Sequence, residues 1–189
     1  MNNYLFWIWK NYLNEKQIKQ FNKDISKKII KKESVDSAAF GLNGTRKKQL
    51  DASSLFIKGI SNWTDPILKE VHYINEKCFG YDLHNNFQHN DFCNYNVYSS
   101  KTKDHYKWHT DVSVEPTHDC KFTVLINLSE KKYTGGEFKI FNDDEKTIKD
   151  FSAPGSILMF KSHLNHCVTP VTKGERITLT IFVTGPVWR

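Results

Sequence analysis

Gly174-Glu175-Arg176-Ile177-Thr178-Leu179-Thr180-Ile181-Phe182-Val183 is the stretch on which the fold turns. Its β-branched content and its alternation predict a strand beginning at Arg176. Residues two apart share a face of a strand, so Arg176, Thr178 and Thr180 lie on one side and Ile177, Leu179 and Ile181 on the other. A sheet packed against helices buries the isoleucine–leucine side and turns the arginine–threonine side into a barrel. A lone arginine there is costly unless it meets an anion, and no carboxylate of this segment shares its face. The competing reading is a structural ion pair with an acidic residue of another strand.

Outward from this strand, short β-rich runs fill the chain from about residue 92. Residues 122–128 (Phe-Thr-Val-Leu-Ile-Asn-Leu) predict a strand, and 137–141 with 147–151 predict a hairpin around Asn142-Asp143-Asp144-Glu145. Residues 156–160 follow Pro154-Gly155 as another strand. Six to eight strands at this spacing predict a sandwich or barrel of jelly-roll type. Upstream the signals are helical. Asn14 and Gln17 make a capping box, and Ile18, Phe21, Ile25 and Ile29 follow on one helix face. A second helix takes Asp65 as N-cap and Pro66 as its first residue. Its stripe is Ile67, Leu68, Val71, Ile74 and Cys78, and Gly80 closes it. The expected class is α+β, mainly β: a double-stranded β-helix (jelly-roll, cupin-like) core with supporting N-terminal helices. One domain spans 1–189, a helical support region over 1–90 and a β core with the metal site over 91–189.

His109-Thr110-Asp111 is the first chemical signal. On an extended strand end the imidazole and the carboxylate converge on one face. Such a pair acquires meaning from a third donor and an anion-binding residue behind it. His166 stands 55 residues past Asp111, in Asn165-His166-Cys167-Val168-Thr169-Pro170-Val171, and Arg176 follows ten residues later. Two histidines and a carboxylate form a facial triad that leaves three positions open on a six-coordinate non-haem Fe(II). Two of these suit a chelating co-substrate and one suits dioxygen. A zinc hydrolase uses similar ligands but gains nothing from an arginine set to hold a distant carboxylate. His163 competes with His166, although no Val-x-Pro-Val follows it. His105 and His118 read as surface or substrate-side histidines, and Trp63 and Trp108 as core or rim. Gly135-Gly136 sits between strands with no helix behind it, so it reads as a turn and not as a phosphate loop.

From about Tyr95 to Val183 the sequence resembles the prolyl 4-hydroxylase-type Fe(II)/2-oxoglutarate dioxygenases. The elements that carry the resemblance are Tyr98, His109-Thr110-Asp111, Gly135-Gly136-Glu137-Phe138, Pro154-Gly155-Ser156-Ile157-Leu158-Met159-Phe160, His166-Cys167-Val168-Thr169-Pro170-Val171 and Gly174-Glu175-Arg176-Ile177-Thr178. Proline and glycine are adjacent in the fourth element, a departure that shifts a turn and touches no ligand. The first part is similar to bacterial and phage members, with an early helix, an Arg46-bearing loop and a helix carrying Asn75 before Phe79-Gly80-Tyr81-Asp82-Leu83.

The resemblance implies that His109, Asp111 and His166 are the catalytic iron ligands. It implies that Arg176 pairs with the distal carboxylate of 2-oxoglutarate, that Thr178 adds a hydroxyl there, that Tyr98 hydrogen-bonds the co-substrate and that Tyr106 lies close to the pocket. Asn127 stands where animal members carry a tyrosine that touches 2-oxoglutarate. The implied reaction decarboxylates 2-oxoglutarate to succinate and carbon dioxide and hydroxylates an unactivated C–H bond. Dioxygen is consumed, and ascorbate is the reductant by analogy. The implied substrate is a prolyl or other amino-acid residue in a peptide, a protein or a small molecule. An AlkB-type nucleic-acid demethylase is the rival: Asn96-x-Tyr98 favours it, whereas Phe182, standing where that family has a second arginine, opposes it. A non-catalytic jelly-roll binding module is opposed by the intact triad and Arg176.

The chain has 189 residues, 39% of them hydrophobic and 25% charged, enough for one soluble domain with a real core. Nothing approaches eighteen uninterrupted apolar residues, so no membrane helix is expected. The amino terminus has no basic leader and no small-residue cleavage site, and the four cysteines lack a C-x-x-C. The expectation is reduced thiols in a cytoplasmic protein. The net charge of +6 comes from the first sixty residues, with twelve Lys/Arg against five Asp/Glu, since the remainder carries fifteen against sixteen. Lys23, Lys27, Lys28, Lys31, Lys32, Arg46, Lys47 and Lys48 read as a solvated helix face plus a loop. Only Arg46, Arg176 and Arg189 are arginines, too few for a phosphate-reading surface, so neither nucleic acid nor membrane is the expected partner.

Overall fold

The capping box at Asn14 forms in both directions. The Gln17 N–H donates to the Asn14 carboxamide at 3.0 Å and the Asn14 N–H to the Gln17 carboxamide at 2.9 Å. Helix α1 (Glu15–Ile30) follows, with Ile18, Phe21 and Ile25 buried. The computed structural model describes residues 4–30, 34–36, 50–84, 93–112 and 117–187.

The second helix, α2 (Ser61–Ile74), starts a turn earlier than the sequence predicts. Asp65 is not its cap, and Pro66 lies inside it. The first turn is held from outside instead: Trp63 stacks on Phe21 at 4.6 Å and its indole N–H donates to Asp24 at 3.2 Å. Tertiary packing thus moves a boundary that local capping signals put at Asp65. The stripe of Ile67, Leu68, Val71 and Ile74 is buried as expected. A wide turn over Asn75–Phe79 then ends at Gly80, whose φ of 72° no β-carbon disturbs.

The strands build the jelly roll. A seven-stranded sheet runs β1 (Phe6–Trp9), β11 (Ile157–Lys161), β7 (Asp119–Asn127), β14 (Glu175–Gly185), β5 (Cys93–Ser99), β4 (Ser53–Ile57) and β2 (Ser34–Asp36). A five-stranded sheet runs β10 (Asp144–Thr147), β9 (Phe138–Asn142), β12 (Asn165–Val168), β6 (His105–His109) and β3 (Leu50–Asp51). A small pair, β8 (Thr134–Gly135) and β13 (Val171–Lys173), completes it. One apolar cluster fills the space between the large sheet and the helices, including Phe21, Leu68, Phe122 and Ile181. A second, including Phe138, Phe151, Leu158 and Phe160, involves strands of both sheets. Ile177, Leu179 and Ile181 belong to the first, which is the outward face predicted for them.

Two expectations need correction. The first ninety residues are more than helical support, because β1 to β4 join both sheets from within them. Phe6-Trp7-Ile8-Trp9 has no alternation to announce a strand, since this edge element is half-buried on both faces. The hairpin also turns tighter than predicted. Asp143 takes a φ of 68° at its tip, β10 ends at Thr147, and residues 149–152 form a 3₁₀ turn instead of a strand arm. Lys23 and Lys27 lie exposed on α1. Lys31, Lys32, Arg46, Lys47, Lys48 and Arg189 lie outside the described residues. No described helix is long and apolar enough to cross a membrane. Cys78, Cys93, Cys120 and Cys167 form no disulfide.

Candidate metal centre and pocket

β6 and β12 are neighbours, and their register sets His109 opposite His166. Asp111, two residues past the end of β6, is fixed there by its backbone N–H, which donates to the Ser162 carbonyl at 2.9 Å. The donor atoms of His109, Asp111 and His166 all lie within 4.8 Å of one another. Nε2 of His166 is 3.3 Å from one Asp111 oxygen, and Nε2 of His109 is 3.6 Å from the other. Each histidine donates from Nδ1 to a backbone carbonyl: His109 to Lys107 at 2.7 Å and His166 to Leu164 at 2.9 Å. A carbonyl only accepts, so the proton sits on Nδ1 and the Nε2 lone pair faces the cluster, as a metal requires. His163, the competing candidate, is exposed and outside the cluster, and the half-buried His105 and His118 lie outside it as well.

Asp111 is held by more than its backbone. Thr123 Oγ1 donates to its carboxylate at 2.9 Å, Ser162 Oγ lies 3.0 Å from Thr123, and Cys120 Sγ lies 3.0 Å from Ser162. Burial works against ionisation of Asp111, yet the neighbouring His166 and His109 and the Thr123 hydroxyl together keep the carboxyl below its ordinary value. The sequence carries no periodic signal for this chain of hydroxyls, because Thr123 is a single polar residue within an apolar run.

Tyr106 lies three residues before His109, a spacing that opposes faces in a regular strand. The pairing slips here: three steps along β6, from Tyr106 to His109, match two along β12, from His166 to Val168. The extra residue is a β-bulge at Lys107–Trp108, and it brings Tyr106 flat against the His109 ring with centroids 3.5 Å apart. Trp108 turns outward to meet Phe141 at the rim.

The opposite wall comes from the large sheet. Arg176 pairs with Tyr98 across β14 and β5, and Thr178 pairs with Asn96. All of these line the pocket that holds the three metal-type donors. Arg176 is 1% exposed, and its guanidinium lies 5.0 Å from the Tyr98 ring and 5.7 Å from that of Phe151. Its Nε and Nη2 have no hydrogen-bond partner, and Nη1 reaches only Thr178 Oγ1 at 3.5 Å. The structural ion pair considered for it is absent among the described residues. Gly136 makes room for it, since a β-carbon at that glycine, whose φ is 63°, would sit 2.9 Å from Arg176 Cδ. Burial raises the Tyr98 phenol far above its ordinary value, only partly opposed by Arg176, so it stays protonated and able to donate. Asn127 has a different task. Its amide donates to the Phe151 and Ser152 carbonyls at 3.0 and 3.2 Å and so holds the turn before β11.

The jelly roll thus sets two histidines and one carboxylate across a single pocket from a buried arginine whose Nε and Nη2 have no partner. Residues 93–184, from β5 almost to the end of β14, match the model of the 2OG-Fe(II) oxygenase superfamily. A PKHD-type hydroxylase of Synechococcus sp. (strain CC9605) is 34% identical over 82 residues, 42% of this chain; the match spans 36% of that relative's length. The fold resembles a Pseudomonas putida prolyl-4-hydroxylase, with a TM-score of 0.70 at 16% identity, covering 96% of this chain and 92% of that one. It also resembles the viral collagen prolyl hydroxylase of Paramecium Bursaria Chlorella virus-1, with a TM-score of 0.71 at 16% identity, covering 97% and 98%. At such identities the likeness is one of fold.

The residues present fit the pair that the family's name carries. Two imidazole nitrogens with free lone pairs and an ionised carboxylate suit Fe(II). The unpartnered Nε and Nη2 of Arg176 suit a carboxylate, which a guanidinium fork grips in two places.

Proposed function

We propose that the protein is an Fe(II)- and 2-oxoglutarate-dependent dioxygenase of prolyl 4-hydroxylase type that hydroxylates a prolyl or other amino-acid residue. The observation that carries the reading is the buried guanidinium of Arg176, with two unmet nitrogens, across one pocket from His109, Asp111 and His166. His109, Asp111 and His166 would hold the metal. Arg176 and Thr178 would take the distal carboxylate of 2-oxoglutarate, and the protonated Tyr98 would donate a hydrogen bond to it. Tyr106 keeps the His109 imidazole in place by stacking, and Thr123 keeps the Asp111 carboxylate from turning. Bound iron supplies the redox chemistry by which 2-oxoglutarate, dioxygen and R–H become succinate, carbon dioxide and R–OH. The chain's own part is to aim the reactants and to exclude water, which the apolar walls of Leu125, Phe138 and Val168 favour. The thiols, largely buried and not joined in disulfides, fit a reducing compartment such as the cytoplasm.

The test is succinate formation by the full chain with Fe(II), 2-oxoglutarate and ascorbate, against His109→Ala and Asp111→Ala. Iron-dependent succinate, present in the wild type and absent in both variants, is the expected result. No iron-dependent turnover, even without substrate, overturns the reading.

A further inference from the structure

Beyond Arg176 the pocket wall changes character. The ladder between β14 and β5 sets Thr178 opposite Asn96 and then Thr180 opposite Asn94, while β4 adds Ser54 opposite Asn96. These side chains face the same pocket as the metal-type donors. Asn96 is occupied, donating to Thr180 Oγ1 at 3.2 Å. Ser54 Oγ and Asn94 Oδ1 are not: their residues are 7% and 6% exposed, and neither atom has a hydrogen-bond partner. Buried hydroxyls and amide oxygens are almost always paired, so two unpaired ones in one pocket wall ask for a ligand. Ser54 and Asn94 are diagonal neighbours on adjacent strands, about 7 Å apart at most between β-carbons, close enough to grip one small group together.

We propose that this wall is a subsite for a neutral amide of the substrate, next to the carbon that is oxidised. Asn94 Oδ1 accepts from the amide N–H, and the Ser54 hydroxyl donates to the amide C=O. The inference rests on the pocket being a hydroxylase site. Position separates the subsite from the co-substrate: two rungs of strand put Asn94 about 13 Å from the Arg176 rung, further than a five-carbon diacid reaches. Charge selects the chemistry. Among the described residues the ionised side chains lining the pocket are Asp111 and Arg176, which the proposed function gives to metal and co-substrate. A charged substrate group beside Asn94 would therefore be desolvated without a partner. An amide matches one acceptor and one donor and carries no charge. Peptide bonds and side-chain carboxamides share that chemistry.

Saturation-transfer NMR on the full chain, loaded with diamagnetic Zn(II) and 2-oxoglutarate, tests this with four probes. N-methylacetamide represents the peptide bond, acetamide the carboxamide, and acetate and methylammonium the charged alternatives. At least one amide is expected to receive saturation and the ions are not; the stronger amide identifies the source. Ser54→Ala and Asn94→Leu are each expected to weaken amide binding about two- to tenfold, one neutral hydrogen bond apiece, with 2-oxoglutarate affinity unchanged. Ser54→Ala removes a single atom and carries the test alone if Asn94→Leu does not fold. No amide binding, equal binding of either ion, or indifference to the substitution overturns the subsite. A calorimetric titration of the same samples with 2-oxoglutarate keeps that failure apart from failure of the hydroxylase reading.

Discussion

A guanidinium that is 1% exposed, with two nitrogens unpartnered, is a large unmet cost in an apolar interior. The pairing geometry explains why Arg176 stays there: it stands on the inward row of β14 with Thr178, between the Tyr98 and Phe151 rings. Among the described residues no carboxylate meets it, which suits a partner brought in with the co-substrate. Arg176→Ala is expected to weaken 2-oxoglutarate binding by about 2–5 kcal/mol, because it removes one side of a buried charge pair. Arg176→Lys is expected to recover only part, since an ammonium lacks the two-pronged geometry. Metal affinity is expected to survive both changes, as the three donors lie on other elements. Anaerobic calorimetric titration with 2-oxoglutarate and then with a divalent metal reads both quantities; equal 2-oxoglutarate affinity in wild type and Arg176→Ala removes this role from Arg176.

At the scale of elements, β6 is the strand whose irregularity matters. A regular strand would present either Tyr106 or His109 to the pocket, but not both. The bulge at Lys107–Trp108 inserts the residue that lets both face inward, and the Lys107 carbonyl within it accepts the Nδ1 proton of His109. Deleting Lys107 is expected to regularise the pairing, turn His109 away from His166 and abolish stoichiometric metal binding, because a one-residue slip exchanges the faces of a strand. The metal content of purified protein, with circular dichroism as the control for folding, measures it. A deletion variant that folds and still holds one metal ion per chain would show that the bulge does not position His109. Helix boundaries carry a parallel lesson. The Asn14–Gln17 box forms because both partners are three residues apart in the chain. The start of α2 escapes a local reading because Phe21 and Asp24 of α1 secure Trp63 from 39 and more residues away.

Across the whole molecule the thiols report how tightly the layers close. Burial pushes the Cys120 thiol up to about 12 and the Cys167 thiol up to about 11, and Cys93 lies at 1% exposure. A raised thiol pKa means that the protonated, unreactive form dominates at every pH below it. At pH 8 iodoacetamide is therefore expected to label native protein at Cys78, the half-buried cysteine, and the other three only as the chain unfolds. Peptide mass spectrometry over a denaturant series checks this; fast labelling of Cys120 in native protein contradicts it. Much of this molecule was legible from short spacings alone. The His109–Asp111 pair, the Arg176–Thr178 row and the capping box all depend on residues two or three positions apart, where backbone geometry permits few arrangements. The tertiary structure alone set His166, and not His163, beside His109 and Asp111, because His166 lies on β12 opposite His109 whereas His163 precedes that strand and is exposed. It alone joined Phe6–Trp9 to β11, set Thr123 on Asp111, and left Ser54 and Asn94 facing one pocket without partners. Periodicity tells which face of a strand a residue takes. Which strand lies beside it, and which polar atom then finds a partner, depends on how the two sheets close over a shared core.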